Sequence, residues 1–202
     1  MKKIIKSTLV LMLAVAFFAP SFAGKVINPN GETFIKVGSK LTYAIDRDGK
    51  KYDMVVTITK LSPQISFDWQ MTAPANRNGS VTMSEKAVGH AMNVITDFAN
   101  GATTLNGESA IWLSYDNFYQ MKNDRHGIFQ LDGKDNASKV VNFNEPPVIV
   151  KVNGSDMTMT TLMLHNGIMS ADKKIIQVLD SKDFPIILKI EAGWSMTLKS
   201  IN

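Results

Sequence analysis

Apolar and polar residues alternate along most of this chain with a period of two, the pattern of strands that have one dry and one wet face. Lys40-Leu41-Thr42-Tyr43-Ala44-Ile45 opens the series, and Arg47-Asp48-Gly49-Lys50 supplies an Asp-Gly hairpin turn. Tyr52, Met54, Val56 and Ile58 alternate on the return strand. Ser66 to Thr72 alternates most cleanly, with Phe67, Trp69 and Met71 on one side and Ser66, Asp68, Gln70 and Thr72 on the other. Further strands are predicted at Ser80–Met83, Ala110–Leu113, Ile128–Leu131, Lys139–Phe143, Val148–Val152, Met157–Leu164, Lys174–Leu179, Ile186–Ile190 and Trp194–Ile201. Turn residues separate them, among them Asp132-Gly133, Asn153-Gly154, Asn166-Gly167 and Ala192-Gly193. About ten short strands at these spacings predict a mainly β fold, a single antiparallel β-barrel or curled sandwich with one or two short helices.

The period changes in two places. Val88, Ala91, Met92, Ile95, Phe98 and Ala99 recur at helical spacing, which predicts a helix from an N-cap at Ser84 to a stop at Gly101. Ser114 is predicted to cap a second, shorter helix running through Met121.

The N-terminus follows a different logic. Lys2, Lys3 and Lys6 precede an apolar run from Leu9 to Phe18, then Pro20 and the small-residue pattern Ser21-Phe22-Ala23. That order predicts a signal peptide over residues 1–23, because the run is shorter than the roughly 20 apolar residues of a membrane span. The remainder, 24–202, contains no linker or low-complexity stretch and is expected to form one all-β domain, secreted to a periplasmic or extracellular location.

Removing the leader changes the charge balance. Three of the 22 Lys and Arg residues lie within it, leaving 19 against 18 Asp and Glu and a formal charge of +1. The basic character of the full chain is therefore a property of the leader, and neither a nucleic-acid partner nor stable membrane insertion is expected. The chain has no cysteine, which excludes disulfides, thiolate metal sites and a Cys nucleophile. An exported domain without disulfides fits a bacterial envelope better than a eukaryotic secretory route.

Candidate chemistry is sparse. His90, His126 and His165 are the three histidines, and none has metal-ligand spacing or adjoins a nucleophile motif. Eighteen acids offer many pairs of the kind a glycosidase needs, without singling one out. No catalytic residue, metal site or cofactor is assigned on this basis. Met157, Met159, Met163, His165 and Met169 form a group of soft ligands that suits Cu(I) chemistry, but alternation along a strand splits the group between two faces, and packing is the expected role. Trp69 and Trp194 read as core residues of their strands. The aromatic group around the second helix is the best recognition candidate. Trp112, Tyr115 and Tyr119 are assigned as ligand-binding, because rings four apart on a helix share a side and stack on sugars or line apolar pockets.

Two segments, Val37–Ile58 (VGSKLTYAIDRDGKKYDMVVTI) and Asp183–Ile201 (DFPIILKIEAGWSMTLKSI), resemble the opening and closing strands of exported bacterial all-β families of unknown function, whose antiparallel sheets are curled and barrel-like. The resemblance implies an envelope location and a non-enzymatic role, and it transfers no functional residue. The expected function is an exported non-catalytic binding or interaction module, taking a small apolar or carbohydrate ligand or another envelope component. The alternative is an exported hydrolase acting on a glycan or ester through an acid/base site assembled in space. A membrane β-barrel is disfavoured by the helical segments and the polar C-terminal residue Asn202.

Overall fold

The computed structural model describes residues 34–73, 77–128, 130–133, 138–142, 147–165 and 174–202. The predicted signal peptide, the Asn166-Gly167 turn, Phe143 and Met169 lie outside the described residues. The chain is mainly β.

Strands β1 (Lys40–Arg47) and β2 (Lys50–Lys60) pair antiparallel with Arg47 opposite Lys50, so Asp48 and Gly49 form the whole connection. Their φ angles are 54° and 72°, the left-handed geometry of the tight turn whose twist matches its flanking strands. β3 (Ile65–Met71) and β4 (Asn78–Met83) extend the antiparallel ladder. Burial alternates here as the sequence predicts. Leu41, Tyr43, Val56, Ile58 and Phe67 are wholly buried, while Lys40, Asp53, Asp68 and Gln70 face solvent.

After β4 come α1 (Glu85–His90), β5 (Asn93–Val94), β6 (Gly101–Leu105), β7 (Glu108–Ser109), α2 (Tyr115–Asp124), β8 (His126–Ile128) and β9 (Gln130–Leu131). The remaining strands are β10 (Ser138–Asn142), β11 (Val148–Val152), β12 (Ser155–Met159), β13 (Thr161–His165), β14 (Ile175–Leu179), β15 (Ile187–Glu191) and β16 (Ser195–Ile201). The main sheet runs in the order β6-β4-β3-β2-β1-β16-β15-β14-β13-β10-β8, and β7-β5-β9 form a separate small sheet. Among the described residues the end strands β6 and β8 do not pair with each other, so the arrangement is a curled, open sheet and not a closed barrel. One edge of β16 is divided between two neighbours. Its first half pairs antiparallel with β15, and its last residues pair parallel with β11.

The long first helix is not formed. α1 begins at the predicted cap, where Ser84 Oγ accepts from the Ala87 N–H at 3.2 Å, but Ala91 is already extended (φ −63°, ψ 130°). Two competitors claim the backbone that a longer helix would need. The Ala91 carbonyl oxygen accepts from Ser114 Oγ at 2.7 Å and Asn117 Nδ2 at 2.9 Å, and β5 pairs in parallel with both β7 and β9. Beyond Ala91 the burial period is two, with Val94, Thr96 and Phe98 inside. That alternation coincides in sequence with part of the helical spacing, and the β-branched run Val94-Ile95-Thr96 favours the extended form. The second helix matches its prediction at the start, capped by Ser114, and runs on to Asp124.

Two strand boundaries also differ. Met157–Leu164 is two strands, β12 and β13, with Thr160 between them. Ala110–Leu113 forms an extended segment whose Trp112 bridges Ile186. There the Ile187 N–H donates to the Ile111 carbonyl and the Leu113 N–H to the Pro185 carbonyl, each at 2.8 Å.

The inner face of the curled sheet and the segments it encloses share one continuous buried cluster. Phe98, on the stretch that leaves β5, packs its ring against Phe67 at 6.0 Å and Trp69 at 5.6 Å between centroids. The enclosed segment is thereby held against β3, which fixes the residues before it at the mouth of the curl.

Candidate functional site

Three tight turns and the enclosed segment meet at that mouth. Asp48-Gly49 ends the β1–β2 hairpin, Asp132-Gly133 follows β9, and Ala192-Gly193 joins β15 to β16. Between them lies a cleft of about 660 Å³ lined by residues that include Arg47, Asn93, Asp97, Asp132 and Trp194.

Arg47 and Trp194 occupy it for a simple positional reason. Leu41, Tyr43 and Ile45 point inward on β1, as do Met196 and Leu198 on β16, so the same alternation carries Arg47 and Trp194 to the inner side at the end of the sheet. Asp46 pairs with Ser195, which makes them cross-strand neighbours. The Arg47 guanidinium carbon lies 4.1 Å from the centre of the Trp194 ring, a cation–π distance. Its Nη2 donates to Thr96 Oγ1 at 3.3 Å, and its Nε is buried without an acceptor.

Thr96 passes the contact on to a carboxylate. Its N–H donates to Asp132 Oδ1 at 2.8 Å and its hydroxyl to Asp132 Oδ2 at 2.9 Å, so both Asp132 oxygens are engaged. Asp97 is bound by Arg77 at 2.8 Å, and Arg77 also reaches the Phe98 carbonyl. The Gly133 N–H donates to Asn93 Oδ1 at 2.9 Å, leaving the Asn93 amide nitrogen as a donor. Electrostatically the cleft is mixed, with Arg47 set against Asp48, Asp97 and Asp132 and Arg77 offsetting one of those acids. It offers an indole, donors and acceptors in close quarters.

The residues selected from sequence lie elsewhere. Trp112 is 1% exposed and packs edge-on against Phe184 at 5.9 Å, with its indole N–H lacking an acceptor. Tyr115 is partly buried and Tyr119 is 49% exposed. These two are near each other and near Asp183. Burial first, then the charge of Asp183 and the neighbouring Tyr119, push the Tyr115 hydroxyl above its ordinary range, and Lys182 partly opposes them. α2 therefore presents two phenols beside the Lys182–Asp183 pair, and Trp112 lies beneath the surface. None of the three lines the mouth cleft.

His90 is exposed, with Nδ1 2.7 Å from Asp116 Oδ2. The side chain of His126 lies outside the described residues. Met159 and Met163 are buried on successive strands, and Met157 is partly buried. Among the described residues no group of three or more His, Cys, Asp or Glu side chains is arranged to hold a metal ion.

Trp194 corrects the sequence expectation of a core strand residue: it precedes β16 and is partly exposed. Its signal was the Ala192-Gly193 turn immediately before it, which puts the next inward position at a rim instead of in the core. Arg47, directly before Asp48-Gly49, carries the same signal. Protein-family models, curated proteins and solved structures provide no match to this chain.

Proposed function

We propose that this chain is an exported, non-catalytic binding module of the bacterial envelope, and that it takes a neutral saccharide in the cleft at the mouth of its curled sheet. The observation that carries the reading is the partly exposed Trp194 indole, set in the cleft beside the Asn93 amide donor and the Asp48, Asp97 and Asp132 carboxylates. An indole with neighbouring donors and carboxylate acceptors is a set that matches the apolar faces and hydroxyl rim of a sugar ring. A neutral ligand suits the nearly compensated charges better than an ionic one.

The interior gives an apolar ligand little support, since the inner-facing residues of β1 to β3 are spent on one another and on the enclosed segment. The hydrolase alternative also loses ground. Asp97 is bound by Arg77 and Asp132 by Thr96, so two of the three acids in the cleft already hold the structure in place. A lipid-facing role is disfavoured by Asp53, Asp68 and Gln70 on the outer face of the sheet.

Isothermal titration of the chain from Gly24 with hexasaccharides of glucose, xylose and N-acetylglucosamine tests this reading. Binding by at least one of them, lost in Trp194→Ala and kept in Tyr119→Ala, is the expected result. Heat lost in Tyr119→Ala and kept in Trp194→Ala would move the ligand to α2. No heat with any of the three would remove the saccharide reading.

A further inference from the structure

The mouth cleft does not end at Trp194. A second depression of about 400 Å³ runs along the rim of the β1–β2 hairpin and shares Asp48, Gly193 and Trp194 with it. A third, of about 480 Å³, lies on the outer face of the sheet and shares Asp46 and Ser195 with the rim depression. These shared walls join mouth, rim and outer face in series. Resting on the saccharide reading above, we infer that the three form one track, and that the ligand is an extended glycan chain bound over several units, not a single sugar or a chain end.

The chemistry along the track is consistent from end to end. On the outer face Asp46 and Ser195 lead to Asp53, Thr72, Thr197 and Lys199. Short hydroxyls alternate there with acids and a lysine, so each unit of a hydroxyl-rich polymer finds both donors and acceptors. Cross-strand register aligns these groups: Ser195 stands opposite Asp46 and Thr197 opposite Ala44, with Asp53 opposite Ala44 on the other side. Ala44 leaves room between Asp53 and Thr197.

An extended polypeptide is the other polymer to weigh, and the strand pairing argues against it. Peptides dock on sheets chiefly by adding a strand to a free edge. β1 lies between β2 and β16, β2 between β1 and β3, and β16 between β1 and its two partners on the other side. Most of the strand backbone beneath the track is already paired on both sides, with the bulge residue Lys199 the exception on β16, so side chains make most of the contact. A glycan needs only those.

The experiment is affinity as a function of chain length, using the disaccharide, tetrasaccharide and hexasaccharide of whichever sugar binds. One or two further hydrogen-bonded units predict a rise of about tenfold from disaccharide to hexasaccharide, since a net hydrogen bond contributes roughly 1 kcal/mol and tenfold is 1.4 kcal/mol. Thr197→Phe, which fills the outer part of the track with a residue that strands accept, should bring the hexasaccharide down to the disaccharide affinity and leave the disaccharide unchanged. Lys199→Ala, which adds no bulk, should weaken the hexasaccharide by about threefold and spare the disaccharide, as loss of a single exposed hydrogen bond does.

Equal affinity at all three lengths would overturn the track while leaving the mouth site intact. A length dependence untouched by both substitutions would overturn it too, by placing the added units elsewhere. Binding of a ten-residue Gly-Ser-Thr peptide in competition with the hexasaccharide would replace the glycan by a polypeptide. Failure of every sugar to bind belongs to the reading beneath, and would bring down both.

Discussion

Trp69 and Gly79 face each other across the β3–β4 ladder, and the bare backbone of Gly79 is what allows β6 to lie alongside. A methyl group on Gly79 would sit 3.0 Å from Trp69 Nε1 and overlap the Gly101 carbonyl oxygen of β6. The parallel β4–β6 pairing begins at this point, with Gly79 opposite Gly101, and Gly101 itself has φ +90°. A glycine is required at 79 for clearance and at 101 for conformation.

Gly79→Ala should therefore destabilise the fold by about 1–3 kcal/mol, the usual cost of overpacking, because the obstructing atoms are backbone and not the flexible end of a side chain. Urea denaturation followed by tryptophan fluorescence reads it directly. A midpoint equal to that of the unsubstituted chain would mean that β6 can withdraw from β4 without cost.

The strand framework was legible because each side chain reports its own face. The alternation at Leu41, Tyr43 and Ile45, and again at Phe67, Trp69 and Met71, is reproduced residue by residue in burial. The stretch from Ala91 to Asn100 was not legible, for a specific reason. Its backbone partners, Ser109, Gln130 and Asp132, are distant in sequence, and the β-branched run Val94-Ile95-Thr96, a local hint of extended structure, is masked by the helical spacing of the apolar residues around it. The mouth cleft was hidden in the same way. Arg47, Thr96, Asp132 and Trp194 come from four separate segments, and each looks ordinary where it stands. Aromatic density, by contrast, drew attention to Trp112, whose ring serves packing against Phe184.

The capture of the Ala91 carbonyl can be tested as a shared contact. Ser114 and Asn117 both donate to that oxygen, and Ser114 also caps α2. Ser114→Ala alone should cost about 1–2 kcal/mol, mostly as a lost N-cap. In the double variant with Asn117→Ala the carbonyl is left buried without a side-chain donor, so the combined loss should exceed the sum of the single losses by roughly 1 kcal/mol. Guanidinium denaturation of the four proteins measures that coupling. Strict additivity would show that the two donors do not act on one acceptor.

Tyr43 links stability to alkaline pH. Its ring is wholly buried and its hydroxyl donates to the Ile187 carbonyl at 3.0 Å, tying β1 to β15. Burial pushes the hydroxyl far above the ordinary tyrosine range, since an anion there would be desolvated and would face a carbonyl oxygen. The unfolded chain ionises near pH 10 and the folded chain does not. The favourable contribution is thus complete below about pH 10 and declines as pH rises beyond it, by up to about 1.4 kcal/mol per pH unit, because the unfolded state releases a proton that the native state retains. Tyr43→Phe removes that titration and leaves the Ile187 carbonyl without its side-chain donor, which should cost about 1–3 kcal/mol at neutral pH. The stability difference between the two proteins should then shrink steadily above about pH 10, a comparison in which the other tyrosines cancel. Denaturant titrations at pH 7, 9, 10 and 11 measure it, and a difference that stays constant across that series would mean the Tyr43 hydroxyl ionises as readily in the folded chain as in the unfolded one.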